Sequence, residues 1–359
     1  MASSRSGSSL WTAAWLRAVA GPAGRRAGAV WASLAVVAAV VMGPTALTPP
    51  SVVALLTASP GAAALLGGLW LALLHPAARI LVRAEAASFL RSLPSPPLGS
   101  ALPGATLALL HAPVPALMGA GGAPRAALLA WAGVTALSAA LTLLPWPQRR
   151  RAQVAWRNAG QGLRQILWQR LWSDDALLRA AAFAGLAGLA AHLMIHNNQL
   201  FGPSASTLGL GTVALLGAPA WAAVIQPLAV VHRRLWPLCA SAGVAHTSYV
   251  AALAVVQSAA MIALCALASL LATWGLPAGD VLRMLAGAVG LGLAMGLAAV
   301  PVARWATQSA TVAARVLTGT LACSASAVLL LGLWAETGLA AALAIAVAAL
   351  LRIQEPVLC

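Results

Sequence analysis

The chain has 359 residues, 61% of them hydrophobic and 8% charged, with a mean hydropathy of +0.90. A soluble domain carries roughly 25% charged residues, so a water-covered globule is excluded. The net charge of +15 comes from 21 arginines, with no lysine, against six acids. On so apolar a background it reads as an arginine excess on one side of a bilayer rather than a nucleic-acid surface.

The missing lysine also excludes a P-loop ATPase, because GxxxxGK[ST] needs lysine on the β/γ-phosphates. Cys239, Cys265, Cys323 and Cys359 lie far apart and form no zinc-like spacing. The polar start MASSRSGSSLW carries no clean signal-peptide pattern.

A crossing helix needs about 20 apolar residues. In chain order the candidates are 29–47, 51–75, 98–120, 126–146, 180–198, 205–231, 247–273, 283–303, 316–334 and 337–351, about ten transmembrane helices. The last two share one run and could instead form a re-entrant hairpin. Pro113, Pro115 and Pro219 mark kinks. The expected class is all-α, a polytopic helical membrane protein. Residues 1–150 form a half with an interfacial helix and four spans. Residues 151–359 form a half with an interfacial helix and six.

With the N-terminus inside, every arginine except Arg125 and Arg283 falls on the inner side of these ten spans. That split places both termini in the cytoplasm. Two inner loops carry a helical pattern. Over residues 76–94, Ile80, Leu81, Ala84 and Ala87 share a face, which predicts an amphipathic helix ending at Pro94. Over residues 160–178, Leu163, Ile166, Leu167 and Leu171 share a side, while Trp168 and Trp172 stand one turn apart. This second pattern predicts a helix lying in the inner headgroup layer.

A candidate parallel repeat links the halves. Leu10-Trp11 with Trp15 returns as Leu167-Trp168 with Trp172, and His75-Pro76 returns as Gln226-Pro227. Chance similarity in an Ala/Leu-rich chain is the competing explanation.

The order of elements over 160–351 resembles that of type-2 ABC exporter permeases: interfacial helix, two spans, short cytoplasmic segment, four more spans. VVHRRLWPLCASAGVAHTSYVAAL resembles the family's segment between its second and third spans, and RAEAASFLRSLPSPPLG resembles it again, followed here by only two spans. The resemblance implies a permease subunit moving an unidentified substrate, with a separate cytoplasmic ATPase, a dimer, as partner beside membrane lipids. It implies no catalytic residue and no cofactor in this chain. It points to Glu85, Phe89, Arg91, Ser92 and Leu93 as docking residues in the first segment, and to His232, Arg233, Arg234, Leu235 and Trp236 in the second. Ordinary positive-inside loops would carry the same arginines.

The remaining chemistry is sparse. No acid falls clearly at a bilayer midplane, which argues against a proton-driven antiporter. His192 and His196, one turn apart, are weak metal candidates because no third ligand is evident; His111 is the other histidine within the spans. Asp174-Asp175 read as N-terminal acids of the fifth span, or as the metal site of a membrane lipid transferase. Glycines at 185 and 188, and at 287, 290, 292 and 296, suit close helix packing. The alternative from another class is an ATPase-independent secondary carrier or lipid-handling protein.

Overall fold

The computed structural model describes residues 10–42, 48–92, 99, 101–144, 159–173, 176–307 and 312–334. Regular structure among them is helical throughout, with no strand. The chain divides into two units, Met1–Arg150 and Arg151–Cys359.

In the first unit a helical segment at 10–15 passes through one π-helical turn, Leu16–Ala20, into α1 (Gly21–Met42). Helix α2 (Pro49–Ala58) has ten residues, about 15 Å against a hydrocarbon core of about 30 Å. It stops at Ser59, whose backbone is extended because a proline follows. Ser59 then caps α3 (Pro60–Arg83), its hydroxyl accepting from Ala62 N–H at 3.3 Å. The span expected over 51–75 is therefore displaced: the crossing helix starts at Pro60 and continues past residue 75.

The amphipathic helix expected over 76–94 is also corrected. Pro76 lies inside α3, where Leu73, Leu74, Ala77, Ala78 and Leu81 are buried. That continuous packing offsets the hydrogen bond Pro76 removes. Ala84 then turns left-handed (φ 44°, ψ 34°), and Glu85–Ser92 winds as a 3₁₀ helix. Helices α4 (Leu102–Leu110) and α5 (Pro113–Ala120) meet at a 45° bend, and α6 (Pro124–Leu143) follows. Helix α3 is the centre of this unit, against α1, α2, α4 and α6.

The second unit begins with α7 (Ala159–Ser173) and α8 (Ala176–Asn197). Helices α9 (Gly202–Leu216) and α10 (Ala218–Ser241) form another pair bent by 45°. Then come α11 (His246–Ala272), α12 (Ala278–Thr307) and α13 (Val312–Trp334). Helix α8 packs on α9, α10 and α11, and α12 packs on α11 and α13. Glycine sets these distances. A Cβ on Gly292 would stand 2.5 Å from Ile262 Cα, and one on Gly188 would collide with the Ala268 backbone. Helix α7 lies across α10 and α11, burying Leu163, Leu167 and Leu171 and leaving Trp168 and Trp172 exposed.

Six helices among the described residues are long and apolar enough to cross a membrane, and eight if each bent pair is one span. The chain is a multi-pass helical membrane protein. The span expected at 29–47 falls partly on α1, and the one at 337–351 lies outside the described residues.

Candidate functional site

The docking residues read from the sequence occupy two helix ends, one in each unit. In the first, the Arg83 guanidinium donates to the Thr142 carbonyl at 3.3 Å, tying the end of α3 to the end of α6. The 3₁₀ turn that follows is held by Trp11, whose indole N–H donates to the Leu90 carbonyl at 3.4 Å. Ala87 and Leu90 are buried, whereas Phe89 is 56% exposed and Glu85 is exposed. Arg91 and Ser92 close the turn, and Leu93 lies outside the described residues.

In the second unit the segment 232–246 is not a separate element. Helix α10 runs unbroken through it to Ser241 and turns at Gly243 (φ 73°) into α11. Arg233 and Arg234 are exposed and Leu235 is half-buried. His232 is buried, its Nδ1 lying 3.0 Å from the Tyr249 hydroxyl of α11. Trp236 packs edge-on against His246 and Tyr249, with ring centroids 5.2 and 5.3 Å away. His232 and Trp236 thus join α10 to α11, and the outward face of this end is carried by Arg233, Arg234 and the exposed Leu238.

The histidine pair on α8 has ring centroids 4.2 Å apart. His192 Nδ1 lies 3.3 Å from the Ala272 carbonyl, one of the acceptors left open at the end of α11. A carbonyl only accepts, so Nδ1 carries the proton and caps the helix. Among the described residues no three His, Cys, Asp or Glu side chains converge as a metal site. Asp174 and Asp175 lie outside the described residues.

Two features escaped the sequence reading. Each bent span is closed by a tryptophan. Trp131 donates to the Ala108 carbonyl at 2.8 Å, just before the α4–α5 break, and Trp221 donates to Ala214 at 3.3 Å, just before the α9–α10 break. The prolines after each break announced the bends, but nothing local announced the indoles. The second feature is His111, fully buried at the α4–α5 break. The Trp70 indole N–H donates to its Nδ1 at 2.9 Å, and its Nε2 has no hydrogen-bond partner among the described residues. Gln257, fully buried in α11, likewise pairs neither its amide oxygen nor its nitrogen among the described residues.

Compared with known protein families, with curated proteins and with solved structures, the chain finds no match in any of the three.

Proposed function

We propose that the chain is the transmembrane permease subunit of a bacterial ABC exporter, moving its substrate across the inner membrane with a separate ATPase. The observation that carries this reading is a pair of exposed apolar side chains at helix ends, Phe89 on the turn whose sequence includes Arg91, and Leu238 with the exposed Arg233 and Arg234 on α10. A docking surface needs an apolar anchor with a charged rim, and a permease needs no catalytic group of its own. The ten-span layout adds 29–47 and 337–351 to the eight crossings already described. Arginine placement supports cytoplasmic termini, since Arg179, Arg233, Arg234, Arg304 and Arg315 all belong to one end of the antiparallel α8–α13 bundle. The parallel repeat stays part of the proposal, supported by Pro76 inside α3 and Pro227 inside α10, the two prolines that it pairs.

A second reading, an ATPase-independent carrier, draws on a different observation. Broken spans with a buried polar group at the break are how carriers build binding sites, and His111 sits at one. Reconstitution separates the two. The tagged chain is purified from its source membrane and placed in liposomes with and without the ATPase that accompanies it. ATP-dependent export requiring that ATPase is expected, and transport by the chain alone would favour the carrier.

A further inference from the structure

A groove on the second unit brings two arginines together beside an apolar wall. It is lined by Arg170 of α7 and by Val230, Val231, Arg234, Leu235 and Leu238 of α10, around a volume of about 220 Å³. The five α10 residues recur at helical spacing, so they form one wall, about 12 Å long at 1.5 Å per residue. Four are apolar. The fifth, Arg234, stands midway along the wall, with Arg170 contributed from the facing helix.

We propose that this groove binds an anionic phospholipid. The phosphate would sit on Arg170 and Arg234, and the upper acyl chain would lie along Val230 and Val231, the lining residues on the membrane side of Arg234. Three observations select this occupant. Two guanidiniums at one groove complement a phosphate, which arginine binds with a planar fork. The groove's volume is enough to admit a glycerophosphate. The groove is also at headgroup level: α7 buries its leucines and leaves Trp168 and Trp172 exposed, the arrangement of an interfacial helix with indoles at the membrane surface. Basic pockets between spanning helices take anionic headgroups for the same reasons. The groove shares Arg234, Leu235 and Leu238 with the proposed docking surface; lipid retention is read on the purified chain with no ATPase present, so the two readings fail separately.

The neighbouring cation supplies an internal control, because Arg233 is exposed yet does not line the groove. The purified chain is exchanged into detergent with equal amounts of phosphatidylglycerol and phosphatidylcholine, and retained lipid is counted by native mass spectrometry. Phosphatidylglycerol should be retained over phosphatidylcholine by about thirtyfold, as two arginine–headgroup contacts would give. The double change Arg170→Gln with Arg234→Gln should remove that preference, and Arg233→Gln should keep it. Leu238→Trp, which fills the groove at an exposed position and spares both arginines, should lower retention without disturbing the fold. Inorganic phosphate at the same concentration should not displace the lipid, because it brings no acyl chain. Equal loss in the Arg233→Gln control would mean bulk charge attraction and overturn the proposal, as would displacement by phosphate. Loss of a co-purifying protein from the double variant, with lipid retention unchanged, would assign the groove to a protein partner and also overturn it.

Discussion

The indole N–H of Trp70 donates to Nδ1 of His111 across 2.9 Å, and this bond decides which proton the imidazole carries. Indole nitrogen is a donor only, so Nδ1 must accept and the neutral ring holds its proton on Nε2. Trp70 lies on α3 and His111 at the break where α4 ends, so the bond ties α3 to the break. Trp70→Phe keeps an aromatic, though smaller, side chain and removes the donor. Leaving a buried acceptor unpaired costs about 1–3 kcal/mol, so the variant should unfold at lower temperature in detergent. An unchanged midpoint would mean that another group satisfies Nδ1.

Gly292 and Gly133 offer a paired test of helix approach. Gly292 faces the α11 backbone, whereas a Cβ on Gly133 in α6 would meet nothing within 4 Å. Gly292→Ala should destabilise by about 1–3 kcal/mol, the range for forcing a methyl into a packed contact. Gly133→Ala should be neutral or slightly stabilising. Thermal unfolding of the two variants side by side would decide this, and equal midpoints would mean that α11 and α12 are not in close contact.

The glycines show where sequence was legible. Their spacing marked α8 and α12 as closely packed because helix approach depends on side-chain size at one position, which the sequence states directly. Apolar runs located the crossing helices for the same reason, and the prolines after His111 and Gly217 located both bends. Boundaries were less legible. Pro60 starts a helix and Pro76 lies inside the same helix, a difference set by the burial of Leu73, Leu74 and Ala77. Partners distant in sequence were not legible at all. Trp70 and His111 are 41 residues apart, and His192 and Ala272 are 80 apart. Nothing local marked His232 as a buried partner of Tyr249 rather than an outward docking residue.

Gln257 tests whether a buried amide has a role. Neither of its polar atoms is paired, and an unpaired polar group in a membrane interior is costly. Gln257→Leu should therefore raise the unfolding midpoint. A lowered midpoint would mean that the amide is hydrogen-bonded in the native membrane, by water or by a bound solute.

For the α8 histidines, capping predicts a modest structural effect and no metal chemistry. His192→Ala should cost about 0.5–1.5 kcal/mol, the worth of one hydrogen bond, through the freed Ala272 carbonyl. His196→Ala should cost less. Elemental analysis of the purified wild-type chain should find no stoichiometric zinc or copper. Metal present in the wild type and lost in the double variant would show that the pair recruits ligands beyond these two rings.

The docking proposal is best tested where exposure and anchoring separate. Trp236 packs on His246 and Tyr249, so truncating it would disturb the α10–α11 joint and leave the result ambiguous. Phe89 is 56% exposed on a turn whose backbone is held by Trp11 and whose buried contacts come from Ala87 and Leu90. Phe89→Ala should therefore leave the unfolding midpoint near that of the wild type. If Phe89 anchors the ATPase, its truncation should weaken co-purification by about thirtyfold, equivalent to about 2 kcal/mol at an interface anchor. Arg233→Glu should act more weakly and lose its effect as salt is raised, because exposed charges are screened beyond about 10 Å at 0.1 M. Undiminished co-purification with Phe89→Ala would remove the first segment from the docking surface. A salt-independent loss with Arg233→Glu would instead mean a change in the fold of α10, since screening cannot leave a purely surface charge effect untouched.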